Sequence, residues 1–206
     1  MSLTDPYGGE EQKRNFRVVI GIVTNNQDPN LLGRVKLKFP WRNSIDESSW
    51  ARVATLMAGD NRGTVFLPEV GDEVLVSFDH GDITQPYVIG ALWNGKDKPP
   101  EKNADGKNNV RMIKSRSGHK IILNDERGSE KVEICTSSGH QITLDDSTGC
   151  EKIEIRDKTG SNSILIDSAQ NSISISSQMK ITIQAQMIEI KAGATLTLQG
   201  GLVKIN

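Results

Sequence analysis

RSGHKIILNDERGSEKVEI, residues 116–134, recurs as SSGHQITLDDSTGCEKIEI, residues 137–155, at an offset of 21. Gly118 maps onto Gly139, His119 onto His140, Ile121 onto Ile142, Glu130 onto Glu151 and Ile134 onto Ile155. A degraded third copy, KTGSNSILIDSAQNSISI, follows from Lys158. An internal repeat of this length is one supersecondary unit that cannot bury its apolar face alone. Each copy reads as two short strands joined by an Asp/Gly/Ser turn.

Further along, the unit shortens to an apolar-x-apolar pair: Ile173/Ile175, Ile181/Ile183, Ile188/Ile190, Leu196/Leu198 and Val203/Ile205, separated in turn by 8, 7, 8 and 7 residues. A strand that turns after presenting two inward side chains leaves them half exposed, and a single-chain coil needs three such sides to close. Three chains wound around one axis solve both problems, since each layer then receives equivalent Ile or Leu residues from three subunits. These ten residues are the expected core of a homotrimeric, intertwined β-helix, a β-prism needle. Between the pairs, Ser, Thr, Gln, Asn and Lys form the solvent face.

Upstream the chemistry changes. All nine aromatic residues and all seven prolines lie in the first hundred positions. Because aromatic side chains supply the largest areas of an ordinary core, the aromatic-free half is a different kind of structure. NGKDKPPEKNADGKNN, residues 94–109, has no hydrophobic period and reads as a linker. Before it, FRVVIGIV (16–23), GRVKLKFPW (33–41), WARVATLM (50–57), DEVLVSFD (72–79) and PYVIGALW (86–93) are β-branched or aromatic runs separated by turn residues. Five such strands without a helical period predict a small closed barrel of OB type. The fold class is therefore all-β: an N-terminal arm (1–15), an OB-fold barrel (16–93), a linker (94–109), a neck of 21-residue repeats (110–170) and the trimeric β-helix (171–206).

GIVTNNQDPNLLGRVKLKFPW, SSWARVATLMAG and LPEVGDEVLVSFDHGDITQPYVIGALWNG, in that order, resemble the OB domain of the spike proteins of contractile injection machines. These are phage baseplate assembly protein V, the central tail spike, and the valine-glycine repeat protein G of type VI secretion. The SGHxIxLDD repeat is similar to the neck of the same spikes, so the resemblance covers roughly residues 16–206. It implies a non-enzymatic, homotrimeric, membrane-puncturing spike. Since only fifteen residues precede the barrel, it also implies a separate baseplate hub protein at the OB end. The linker is too short for the lysozyme that some tailed-phage spikes insert, and no HxH pair for an apical iron follows His140. A strand repeat running to the last residue leaves trimeric strand edges and an apolar axis to be covered. A tip protein of the PAAR-repeat type is expected there, on Gly200, Gly201, Leu202, Val203, Lys204, Ile205 and Asn206.

Composition narrows the function classes. With 25 basic and 26 acidic residues, net charge −1, the chain lacks the cationic excess of a nucleic-acid or polybasic membrane protein. Neither an eighteen-residue apolar run nor a signal-peptide core is present. Synthesis in the cytoplasm and assembly into a phage tail or injection-system particle are expected. Cys135 and Cys150 lack metal or disulfide spacing and read as ordinary thiols.

No cofactor, metal or catalytic group is expected. His119 and His140 could form rings of three imidazoles in a trimer, but no second ligand sits at metal spacing. Ser77 with Asp79 and His80 is strand-local and lacks a nucleophile elbow. Asp145, Asp146 and Asp167 read as turn residues. Arg34, Lys36, Lys38 and Arg42 beside Trp41 keep open an alternative, a monomeric OB/β-solenoid module binding nucleic acid or glycan. The 7- to 8-residue period after Ile173 favours the spike.

Overall fold

The computed structural model describes residues 18–42 and 46–204. Among them every regular element is a β-strand. The chain forms two compact units that divide between Pro99 and Pro100.

The first unit is a curled sheet of β1 (Val19–Asn25), β2 (Lys36–Lys38), β3 (Arg52–Val53), β6 (Glu73–Asp79) and β7 (Asp82–Ala91) in the order β2-β1-β6-β7-β3. β3 runs parallel to β7, with Arg52 opposite Tyr87. A reciprocal pair of backbone bonds then joins Val35 to Ala51 at 3.0 and 2.7 Å, so the last strand meets the first and the sheet closes. Closure removes the free edges that an open five-stranded sheet would leave. This is the expected OB-type barrel. The stretch AGDNRG, residues 58–63, also carries a small hairpin of β4 (Ala58–Gly59) and β5 (Arg62–Gly63).

Alternation dictates the barrel's interior. In EVLVSFD, Val74, Val76 and Phe78 point inward, and in VKLKF so do Val35, Leu37 and Phe39, with Val23, Ala51 and Val88 completing the buried set. Phe39 and Phe78 meet at 5.6 Å between ring centroids. Gly21 sits where β1 crosses this cluster: a Cβ there would lie 3.1 Å from Val76 Cγ2 and 3.5 Å from Phe39 Cε1. The missing side chain lets the strand approach the core.

The second unit is a seven-stranded antiparallel meander of β8 (Val110–Lys114), β9 (Lys120–Asn124), β10 (Lys131–Cys135), β11 (Gln141–Asp145), β12 (Lys152–Arg156), β13 (Ser163–Asp167) and β14 (Ser172–Ser176), each bonded to its sequence neighbour. The 21-residue repeat is thus one strand up and one strand down. Its corners are held by side chains acting on the backbone. Gly128 N–H donates to Glu130 and, one repeat later, Gly149 N–H donates to Glu151. Asp145 accepts from the Ser147 N–H at 3.0 Å, and Asp167 from the Gln170 N–H at 2.8 Å.

Candidate functional site

The register of the meander sorts its side chains into two unlike faces. On one face, Ile113, Ile121, Ile134, Ile142, Ile155, Ile164 and Ile175 stand opposite one another across all seven strands. A second row beside it runs Leu123, Val132, Leu144, Ile153, Ile166 and Ile173. Thirteen aliphatic side chains therefore share one surface, each between 37% and 72% exposed.

The other face carries charge. Lys131, Asp145, Lys152 and Asp167 alternate in sign along one row of partners. Lys131 and Lys152 approach Glu133 and Glu154, each at 3.6 Å. Gln141 donates to Glu133 and accepts from Arg156, both at 2.8 Å. Within this network Thr143 is buried, the reverse of the usual order in which polar residues are outside. The face that carries charge closes over itself while the aliphatic face stays open, and an open apolar patch of this extent is unusual on a surface facing water. Taking each aliphatic side chain from half exposed to buried is worth on the order of 1–2 kcal/mol.

Residues 177–204 continue the apolar-x-apolar pattern with no strand partner among the described residues. No strand forms there, and among the described residues no backbone–backbone hydrogen bond joins this segment to another. Ile181, Ile183, Ile188, Ile190, Leu196, Leu198 and Val203 are all exposed. Of the ten expected core residues, Ile173 and Ile175 lie on β14 and so in the two aliphatic rows. Ile181 joins Ile175, Ile164, Ile155, Ile142 and Ile134 around a hollow of about 560 Å³ on that face. At the far end Gly200, Gly201, Leu202, Val203 and Lys204 are exposed, whereas Ile205 and Asn206 lie outside the described residues. The period of the repeat alone does not reveal the aliphatic rows on β8–β13. Their signal, the alternation in KIILN, KVEIC, QITLD, KIEIR and SILID, was in the sequence.

The barrel offers less to a small ligand. Arg34 is held by Asp28, its Nε and Nη2 each 2.8 Å from a carboxylate oxygen. Asp28, only 3% exposed at its side chain, also accepts from the N–H groups of Asn30 and Leu32. The Arg34 guanidinium holds the Asp28 carboxyl far below the usual carboxylate range, and the backbone donors add to this against the cost of burial. Arg34 and Lys36 both flank the Trp50 ring, but Lys36 is taken by Glu47 at 3.1 Å. Cations already matched by carboxylates have little left for a phosphate backbone. His80 occupies a turn with φ 45°, its side chain 94% exposed and 3.7 Å from Asp79; no hydrogen bond joins it to Ser77.

Residues 19–93 match the family described as the type VI secretion system/phage-baseplate injector OB domain. The type VI secretion system spike protein VgrG3 of Vibrio cholerae is 36% identical over 108 residues, 48% of this chain and 11% of that protein. VgrG1c of Pseudomonas aeruginosa, also a type VI spike protein, is 32% identical over 113 residues, 50% of this chain and 16% of that protein. The actin cross-linking toxin VgrG1 of V. cholerae is 32% identical over 108 residues, 48% of this chain and 10% of that protein. The chain thus spans less than a fifth of the length of each of these relatives.

Proposed function

We propose that this chain, whose residues 19–93 form an injector OB domain of the phage-baseplate and type VI spike family, is a homotrimeric central spike of a contractile injection machine. One observation carries the reading: the meander leaves thirteen aliphatic residues open on one face, and the segment after it repeats the same pattern with no strand partner among the described residues. Three copies packed face to face bury those rows on a common axis. The segment after β14 then finds its backbone partners in the neighbouring copies, because an extended strand with unpaired N–H and C=O groups is costly unless another chain completes it.

Mechanically, such a prism is stiff because its backbone is bonded along the shaft and its axis is dry. Force comes from a contracting sheath, and the spike transmits it through a narrow section into the target membrane. No bond is made or broken, so the chain acts as a machine part rather than an enzyme. The barrel end takes a separate hub protein. The exposed stretch Gly200, Gly201, Leu202, Val203 and Lys204 is the expected seat of a PAAR-type tip protein, with Ile205 and Asn206 continuing it.

Light scattering over a range of concentrations tests the trimer. The full chain is expected at three times 22.6 kDa, and a chain truncated after Lys107 is expected to be monomeric. A full-length monomer with an intact repeat region would overturn the spike and return the OB/β-solenoid binding module for nucleic acid or glycan. Co-purification with a PAAR-type protein, lost on removal of residues 200–206, tests the tip.

A further inference from the structure

Successive corners on one edge of the meander follow a common plan. Ser115 and Thr136 occupy equivalent positions, and each hydroxyl accepts the N–H of the histidine four residues on, His119 and His140, at 3.0 Å. Gly118 and Gly139, at φ 93° and 101°, turn the chain in the left-handed region. Their open side is filled by the next corner: a Cβ would lie 3.5 Å from Ser137 Cβ in the first case and from Lys158 Cβ in the second.

The histidines then reach across the same gap. Ser137 N–H donates to His119 Nδ1 at 3.2 Å, and Lys158 N–H donates to His140 Nδ1 at 3.3 Å. A backbone N–H can only donate, so Nδ1 must be the bare nitrogen and the ring proton must sit on Nε2. The third corner is built without a histidine. Ser161 stands at that position, Asp157 replaces the hydroxyl residue, and the link onward is Ser177 Oγ donating to Asn162 Oδ1 at 2.8 Å.

We propose that His119 and His140 are neutral-ring staples that tie consecutive repeats together and let go when the imidazole is protonated, so that imidazole protonation loosens this edge of the neck at two corners and leaves the third, which has no histidine, in place. An imidazolium has two N–H donors and no acceptor, so protonation sets donor against donor at Ser137 and at Lys158. The ionisable side chains on the turn and strands carrying His119 are Arg111, Lys114, Arg116 and Lys120, while the corner it contacts, Thr136 to Gly139, has none. His140 shares its hollow with Arg156, Asp157 and Lys180, and Lys158 supplies its donor. The staples belong to each single chain, so the inference stands apart from the spike reading.

Two measurements on the full chain test it. Long-range ¹⁵N–¹H spectra of the histidine rings at pH 7.5 are expected to give the Nε2–H form for both residues; Nδ1–H rings would overturn the assignment. Amide exchange, corrected for intrinsic rate, is expected to be about fivefold faster at Ser137 and Lys158 in H119A/H140A than in the parent chain, the equilibrium worth of one ordinary hydrogen bond. H119N/H140N keeps an acceptor near the Nδ1 position without a titrating group. It is expected to restore protection and to remove the loss of protection at Ser137 and Lys158 that is expected of the parent chain on acidification. Equal exchange in all three chains, or acid loosening at the Asn162–Ser177 corner as well, would overturn the proposal.

Discussion

Leu37 and Asp28 are the two residues on which the barrel turns, one by packing and the other by charge. Leu37 is fully buried between the Val35 and Phe39 positions of the same strand. Leu37→Ala should cost about 2–5 kcal/mol, the transfer and cavity terms together. Tryptophan fluorescence in urea reads this cleanly, since Trp41, Trp50 and Trp93 all precede the linker. Asp28 pins the loop from Asn30 to Arg34 through its carboxylate. Its carboxyl is depressed in the folded state, so the stabilisation is complete above the ordinary aspartate range and is lost as pH falls through and below about 4. Asp28→Asn should lower the barrel's melting temperature at pH 7 by several degrees and flatten its loss of stability in acid. An unchanged acid profile would show that another carboxylate carries it. Asp28, Pro29 and Gly33 are turn-forming residues by type, but the pairing with Arg34 needs the loop's three-dimensional path, which no local spacing encodes.

At the scale of the strand, the two faces of the meander make opposite demands. Ile142→Arg with Ile155→Arg places two charges in adjacent positions of the aliphatic row, where a packed trimer offers no counter-ion. The expected result is a monomer by light scattering. Ser174→Lys, on the other face of β14, should leave the mass unchanged. If both variants assemble alike, the aliphatic rows are not the interface. The third corner carries its own titration: hydrogen bonds from Asn162, then from Thr159 and the backbone, lower the Asp157 carboxyl to about 2. That corner should therefore hold until pH falls from about 4 toward 2, well below the range in which imidazoles charge. The alternation that makes these strands was fully legible. Which face stays open was not, because it depends on the polar side chains closing over Thr143.

For the whole molecule the repeat gives a length rule. Removing residues 116–136 deletes one strand up and one strand down, so Ser115 joins Ser137 in an equivalent corner and every remaining aliphatic residue keeps its face. The shortened chain should still assemble, with a shaft shorter by two strand spacings, about 10 Å, as scattering or sedimentation would read. Removing a single strand instead reverses the chain direction downstream and should abolish assembly.

Composition, period and alternation by themselves determined an all-β chain, five barrel strands before the linker and a repeat of paired strands after it, because these follow from which neighbours along the chain are apolar. Tertiary structure decided what depends on distant partners. Examples are the closure of the barrel through Val35 and Ala51, the capture of Arg34 by Asp28, and the stacking of seven strands into one sheet with two continuous aliphatic rows. Those features arise where strands meet, and a linear pattern states which side chains are available to meet without stating which ones do.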